Sequence, residues 1–279
     1  MVESPLTKIA LRLATAVTLA FIYVPLFVIA LYAFNDSRTQ AWPIHGLTLS
    51  WFDKALHNPG ARDALLTSLK AGLGATTLAL ILGSLAAFAV QRYRFFGRET
   101  VSFLVILPIA LPGIVTGMAL NATFRSITIF GHGISLGLFT VIVGHATFCI
   151  VVVYNNVIAR LRRTSRSIEE ASMDLGADTW QTFLYVTLPA IRTSLLAGGI
   201  LAFALSFDEI IVTNFTAGDQ TTLPIWIFTN LSRPNQLPIV NVVAVLVVLL
   251  SAIPVYIAQR LTAETGVAAP AAAAAGARQ

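Results

Sequence analysis

The sequence predicts an all-α, polytopic membrane protein with six membrane-spanning helices, and three observations carry that prediction. The 279 residues are 56% hydrophobic and 11% charged, with a mean hydropathy of +0.79, whereas ordinary soluble domains carry about 25% charged residues. Residues 13–35, 71–91, 101–124, 126–159 and 239–259 contain no charged side chain. A helix needs about 20 apolar residues to cross a hydrocarbon core ~30 Å thick, so each run holds one span. The third observation is that Lys and Arg fall in clusters between these runs rather than evenly along the chain.

The spans are expected at about residues 10–34, 67–91, 101–124, 136–159, 193–214 and 239–260, in one membrane domain over 1–262. Lys8 and Arg12 precede the first run as they would in a secretory signal. Its apolar stretch is longer than the about 7–15 residues of such a signal, and "ALYAFND" is a poor cleavage site, so it reads as a retained span. In residues 36–66, "LSWFDKALH" reads as a short amphipathic helix, and Trp42, Trp51 and Phe52 suit the outer headgroup level. Pro108, Pro112 and Gly113 predict a bent third span. The fourth is preceded by the polar, Gly-rich "SITIFGHGIS" and contains the single cysteine, Cys149. No intrachain disulfide is then possible, and Cys149 reads as a small buried hydrophobe. The fifth run starts after Arg192 although it carries Asp208 and Glu209. Residues 216–238 combine turn formers with the apolar "LPIWIF", and the low-complexity stretch 263–279, "AETGVAAPAAAAAGARQ", is expected to be a disordered tail.

Orientation follows from the basic residues. With the N-terminus inside, twelve of the 18 Lys and Arg fall on the inner side and six on the outer. This bias places both termini in the cytoplasm. The clusters "QRYRFFGR" and "ARLRRTSR" supply most of it, so the net charge of +5 reads as a topology signal and not as nucleic-acid binding.

The polar passage 160–192 then faces the cytoplasm between spans four and five, and it is patterned. Ser167 followed by Glu170 is a capping-box spacing that starts a helix at Ile168. Gly176 ends it as a helix C-cap would. Asp178 with Gln181 starts a second helix, on which Trp180, Phe183 and Leu184 share one apolar face. Pro189 cannot continue the hydrogen bonding and redirects the chain into span five. A short helix–turn–helix offering aromatic side chains suits docking into the groove of a soluble partner.

Glu170-Ala171-Ser172, three residues, Gly176, nine residues and Val186-Thr187-Leu188-Pro189 resemble the EAA loop of the membrane subunits of binding-protein-dependent ABC importers. Ser172 and Val186 depart from that signature, both by small changes. "TSLKAGLGATTLALILGSLAAFAVQRYRFFGRE", "LPIALPGIVTGMAL" and "LAFALSFDEIIVTNFTAGDQTTLPIWIF" extend the likeness over most of the chain, in particular to the second membrane subunit of the spermidine/putrescine branch. The resemblance implies a type I ABC importer permease fold in the bacterial inner membrane, with a cytoplasmic coupling helix. It implies partners as well: a second, homologous permease subunit forming a heterodimer, two ATPase subunits and an extracytoplasmic solute-binding protein. The coupling residues it implies are Glu169, Glu170, Ala171, Asp174, Gly176, Asp178, Trp180, Phe183, Leu188 and Pro189. The sequence has no Gly-x-x-x-x-Gly-Lys-Ser/Thr, so this chain is expected to bind no cofactor itself, with ATP and Mg on the ATPase.

Asp208 and Glu209 are the only acids within a span. Ionisable groups there face a cavity or a partner, and two acids near the outer mouth would attract an amine-bearing cation. Alternatively, one acid caps a helix or pairs with Arg125, with Arg233 or with the partner subunit, and contacts no solute. His145, Asn121 and Trp226 are further candidates for the solute path, against the readings of His145 as a packing residue and Trp226 as an interfacial anchor. A self-contained secondary transporter predicts inverted repeats and midplane ion sites, and no convincing repeat is present. An intramembrane enzyme needs a nucleophile with a base or a metal cluster, but His45, His57, His132 and His145 match no zinc-ligand spacing. An ABC permease for another solute, such as an opine, an amino-acid derivative, a sugar or ferric ion, stays open.

Overall fold

The computed structural model describes residues 5–38, 40–44, 46–129 and 132–263, so His45 and the tail from 264 onward lie outside the described residues. The helices are α1 (Pro5–Ala33), α2 (Ser50–Leu56), α3 (Pro59–Arg92), α4 (Arg98–Ala110), α5 (Gly113–Ser126), α6 (Leu138–Arg163), α7 (Arg166–Asp174) and α8 (Thr179–Thr182). After a π-helical turn at Phe183–Thr187 come α9 (Leu188–Phe207), α10 (Ile211–Thr216), α11 (Leu223–Asn230) and α12 (Leu237–Ala263). Two-residue strands β1 (Thr128–Ile129) and β2 (His132–Gly133) pair antiparallel, Thr128 opposite Gly133.

Among the described residues, four helices are long and apolar enough to cross a membrane: residues 6–33, 59–92, 138–163 and 179–207. α3 starts eight residues before the expected second span. Asn58 is the cause: its Oδ1 accepts the Ala61 N–H at 3.0 Å, and Pro59 at the first helical position completes a start signal. Its 34 residues make a rod about 51 Å long that outruns the hydrocarbon core. The expected third span is sharply bent, as Pro112 and Gly113 predict. α4 and α5 meet at 107°, and the break lies at Leu111 (ψ 143°) and Pro112 (ψ 130°). Proline's ring pushes the preceding residue out of the helical region, whereas Pro108 is absorbed within α4. The expected fifth span, 193–214, is corrected: α9 stops at Phe207 and α10 begins at Ile211.

The chain divides into two compact units, residues 1–62 with 226–251, and residues 63–225 with 252–279. In the first, the segment after α1 folds back on it. Thr48 N–H donates to Phe34 O at 2.7 Å, and the Trp51 indole N–H donates to Asn35 O at 3.0 Å. The amphipathic α2 forms where expected, but Trp51 is buried in protein and only Trp42 remains exposed.

In the second unit α6 is the axis. Val141, Cys149, Val151, Val153, Val157 and Leu161 are fully buried, and the Cys149 thiol donates to Ala202 O of α9 at 3.2 Å. The Tyr154 and Ser102 hydroxyls, 2.7 Å apart, join α6 to α4. α3 meets α6 at Gly83, where a Cβ would lie 2.9 Å from Ile150 O. Because that neighbour is backbone, Gly83→Val is expected to cost about 1–3 kcal/mol, read as a lowered unfolding temperature in detergent. Gly133→Ala, whose Cβ meets nothing within 4 Å, should leave that temperature unchanged.

Candidate functional site: the polar segment between α6 and α9

α6 ends in Arg160, Arg162 and Arg163, and Thr164 leaves the helical region. Ser165 caps α7, its Oγ accepting the Ser167 N–H at 3.3 Å. The sequence reading put this cap on Ser167. It fails because Glu170 is engaged elsewhere, paired with Arg166 one turn back at 3.2 Å on an exposed face. Ala171 and Asp174 are exposed on the same short helix. Gly176 closes it with φ +94°, a conformation L side chains rarely adopt. Its N–H donates to Met173 O at 2.9 Å. Leu175 beside it is 91% exposed.

Asp178 and Gln181 form the reciprocal cap that their spacing predicts. Gln181 N–H donates to Asp178 Oδ1 at 2.8 Å, and Asp178 N–H donates to Gln181 Oε1 at 3.0 Å. The helix they start is not a separate element, however. It runs from Thr179 to Phe207 through the π-turn, so half-buried Leu188 and exposed Pro189 continue it and Pro189 does not redirect it. Proline removes one helical hydrogen bond and presses its ring on the carbonyl four residues back. Here the turn receiving that clash is already widened. Trp180 stacks on Phe183 at 5.7 Å between centroids, and Phe183 meets Phe88 of α3 edge-on at 5.6 Å. Trp180 is still 66% exposed.

Beneath this face lies an ion pair. Arg92 Nη2 donates to Glu169 Oε1 at 2.7 Å, with the two side chains only 12% and 14% exposed. Thr187 Oγ1 donates to the same oxygen at 3.2 Å. Arg92, Glu169, Met173, Trp180 and Thr187 are among the residues lining a groove of ≈ 950 Å³. Arg92 and Thr187 were missed as site residues. Arg92 entered the sequence argument only as one of the inner basic residues, and no local pattern indicates that Glu169 is its partner.

The other candidates gather around α10. Glu209 is half-buried and starts that helix, its Oε1 accepting the Val212 N–H at 2.9 Å. Asp208 is exposed. Arg125, considered as a partner for these acids, instead donates from Nε to Asn121 Oδ1 at 2.9 Å; Arg233, in the other unit, donates from Nη1 to Asn230 Oδ1 at 3.3 Å. Asn121 Nδ2 donates to Phe215 O, tying α5 to α10. His145 is fully buried, with Nδ1 2.7 Å from Ser206 Oγ and Nε2 2.8 Å from Thr213 Oγ1. Thr213 spends its own proton on Glu209 O at 2.7 Å. Nε2 must therefore carry the ring proton, leaving Nδ1 to accept from Ser206. His145 thus spans the break between α9 and α10. Trp226, in the other unit, is buried, and its Nε1 would lie 3.0 Å from a Cβ at Gly60. No cluster of three or more His, Cys, Asp or Glu that would hold a metal occurs among the described residues.

Residues 79–264 match the family described as binding-protein-dependent transport system inner membrane component. The chain belongs to this family. It is an importer permease subunit, and the whole of 160–192 lies inside the matched region. The chain is 34% identical over 231 residues to the putrescine transport system permease protein PotI of Escherichia coli (strain K12), covering 81% of each. It is 31% identical over 248 residues to the spermidine/putrescine transport system permease protein PotC of Haemophilus influenzae, covering 88% of this chain and 93% of that one. A bacterial alginate ABC transporter, crystallised in complex with an alginate pentasaccharide-bound periplasmic protein, shares the fold with a TM-score of 0.72 at 15% identity, covering 93% of this chain and 95% of that one.

Proposed function

We propose that this permease carries polyamines or related cationic amines across the bacterial inner membrane, six-spanning, with both termini and residues 160–192 in the cytoplasm. The observation that carries the coupling half is the α7–α8 element: capped by side chains at both helix starts, held by a largely shielded ion pair, and presenting Leu175 and Trp180 outward. In this reading two separate ATPase subunits bind ATP and Mg, close on it, and move it. Glu169, Glu170, Ala171, Asp174 and Gly176 set the shape of the docked helix, while Asp178, Trp180, Phe183, Leu188 and Pro189 pass its motion to α9. A second, homologous permease completes the pore, and an extracytoplasmic binding protein delivers the solute.

The cargo half rests on the putrescine and spermidine/putrescine relatives and on exposed Asp208 at the C-terminal end of α9. A carboxylate there adds to the negative end of the helix dipole and favours a cation. Glu209, Asn121 and His145 would hold the α9–α10 break in shape around it, and Trp226 would contribute to the solute path from its own unit. The test is solute-stimulated ATP hydrolysis by the reconstituted complex with its own binding protein. Spermidine or putrescine should stimulate, and Asp208→Asn should lower polyamine uptake with basal hydrolysis retained. Stimulation by another solute alone overturns the cargo, and uptake with no ATPase present overturns the coupling.

A further inference from the structure

From the meeting of three distant segments at one carboxylate oxygen we infer that Arg92, Glu169 and Thr187 form a latch fixing α7 to the ends of both α3 and α9. The inference rests on the coupling role proposed above. Arg92 is the last residue of α3, Glu169 lies in the first turn of α7, and Thr187 closes the π-turn before α9. Glu169 Oε1 accepts from Arg92 at 2.7 Å and from Thr187 at 3.2 Å. Arg166 Nη1 of α7 donates back to Arg92 O at 3.4 Å, and a basic group there suits the negative end of α3.

Among the described residues, α7 has few other holds. None of its side chains is buried, so no apolar core anchors it. Its remaining tertiary contact of this kind is between the Ser172 and Thr182 hydroxyls, 3.2 Å apart. The planar guanidinium suits a pair largely shielded from water, and removing either partner leaves the other charge there without its counter-charge. A force applied to α7 therefore reaches α3 through Arg92 and α9 through Thr187. Without the latch, α7 would swing more freely about Ser165 and Gly176, and less of its displacement would reach α3 and α9. Arg92, Glu169 and Thr187 are positioning residues: they act through α7 and touch neither solute nor nucleotide.

The experiment uses the full complex, with its ATPase and binding protein, in proteoliposomes. Arg92→Glu, Glu169→Arg and the double exchange are compared for ATPase co-purification and for solute imported per ATP hydrolysed. Each single variant should still co-purify with the ATPase but import about tenfold less solute per ATP. The double exchange should recover most of the ratio, which a merely destabilising change would not do. Where a single reversal is lost from the membrane, Glu169→Gln and Arg92→Met are read by the same criterion. Single variants with the wild-type ratio, or a double exchange as poor as the singles, overturn the latch. If the unaltered chain fails to co-purify with any ATPase, the coupling reading itself is overturned instead.

Discussion

Gly176→Val is expected to cut solute imported per ATP about tenfold or more while the chain reaches the membrane at near-normal abundance. Gly176 sits at φ +94°, and a Cβ there meets no atom within 4 Å. The penalty is thus purely one of backbone conformation, about 1–3 kcal/mol for a non-glycine residue held in so sparse a region. A β-branched residue escapes it only by changing the link between α7 and α8, which alters the angle at which α7 is presented. The spans lie elsewhere and are untouched. Asn tolerates the left-handed region far better than Val, so Gly176→Asn should restore much of the ratio. A Val variant with the wild-type ratio would show that the angle of α7 is unimportant. A Val variant absent from the membrane would show that the link is needed for folding.

His145→Ala should produce the largest loss of stability. The ring fills a fully buried site and joins Ser206 of α9 to Thr213 of α10. Its removal leaves a cavity, whose cost grows with its volume, and forfeits two interhelical hydrogen bonds of about 0.6–2 kcal/mol each. The sum is about 3 kcal/mol. At the 2–4 °C per kcal/mol typical of large domains, the unfolding temperature in detergent should fall by about 10 °C. His145→Gln, which still donates and accepts, should lose less. A variant that unfolds normally but no longer imports solute would place His145 on the solute path.

The apolar runs made most spans legible, because a bilayer imposes one requirement on every residue that crosses it. Asp178 with Gln181 and Gly176 were legible for a different reason: caps and left-handed turns are decided by neighbours within four residues. Ser165 was misread as Ser167 because Glu170 had two available partners, and only the folded chain shows that Arg166 holds it. The break after Phe207 was overlooked because hydropathy averages over a window, while Glu209 acts as a local helix start. The pairing of Arg92 with Glu169 crosses 77 positions. Several arginines and several acids, Glu99, Glu169, Glu170, Asp174 and Asp178 among them, were candidates on that side, and packing rather than spacing chose among them.

The π-turn at Phe183–Thr187 also acts as a phase shifter. Successive residues of an α-helix are about 100° apart around its axis. A turn that holds one residue more than the α form rotates everything before it by that step relative to everything after. Trp180 and the Asp178 cap therefore point where they do, relative to the faces of α9, because of this one surplus residue. Tightening the turn to the α form would revolve the aromatic face about the rod like a key in a lock, with no change in the length of the span itself.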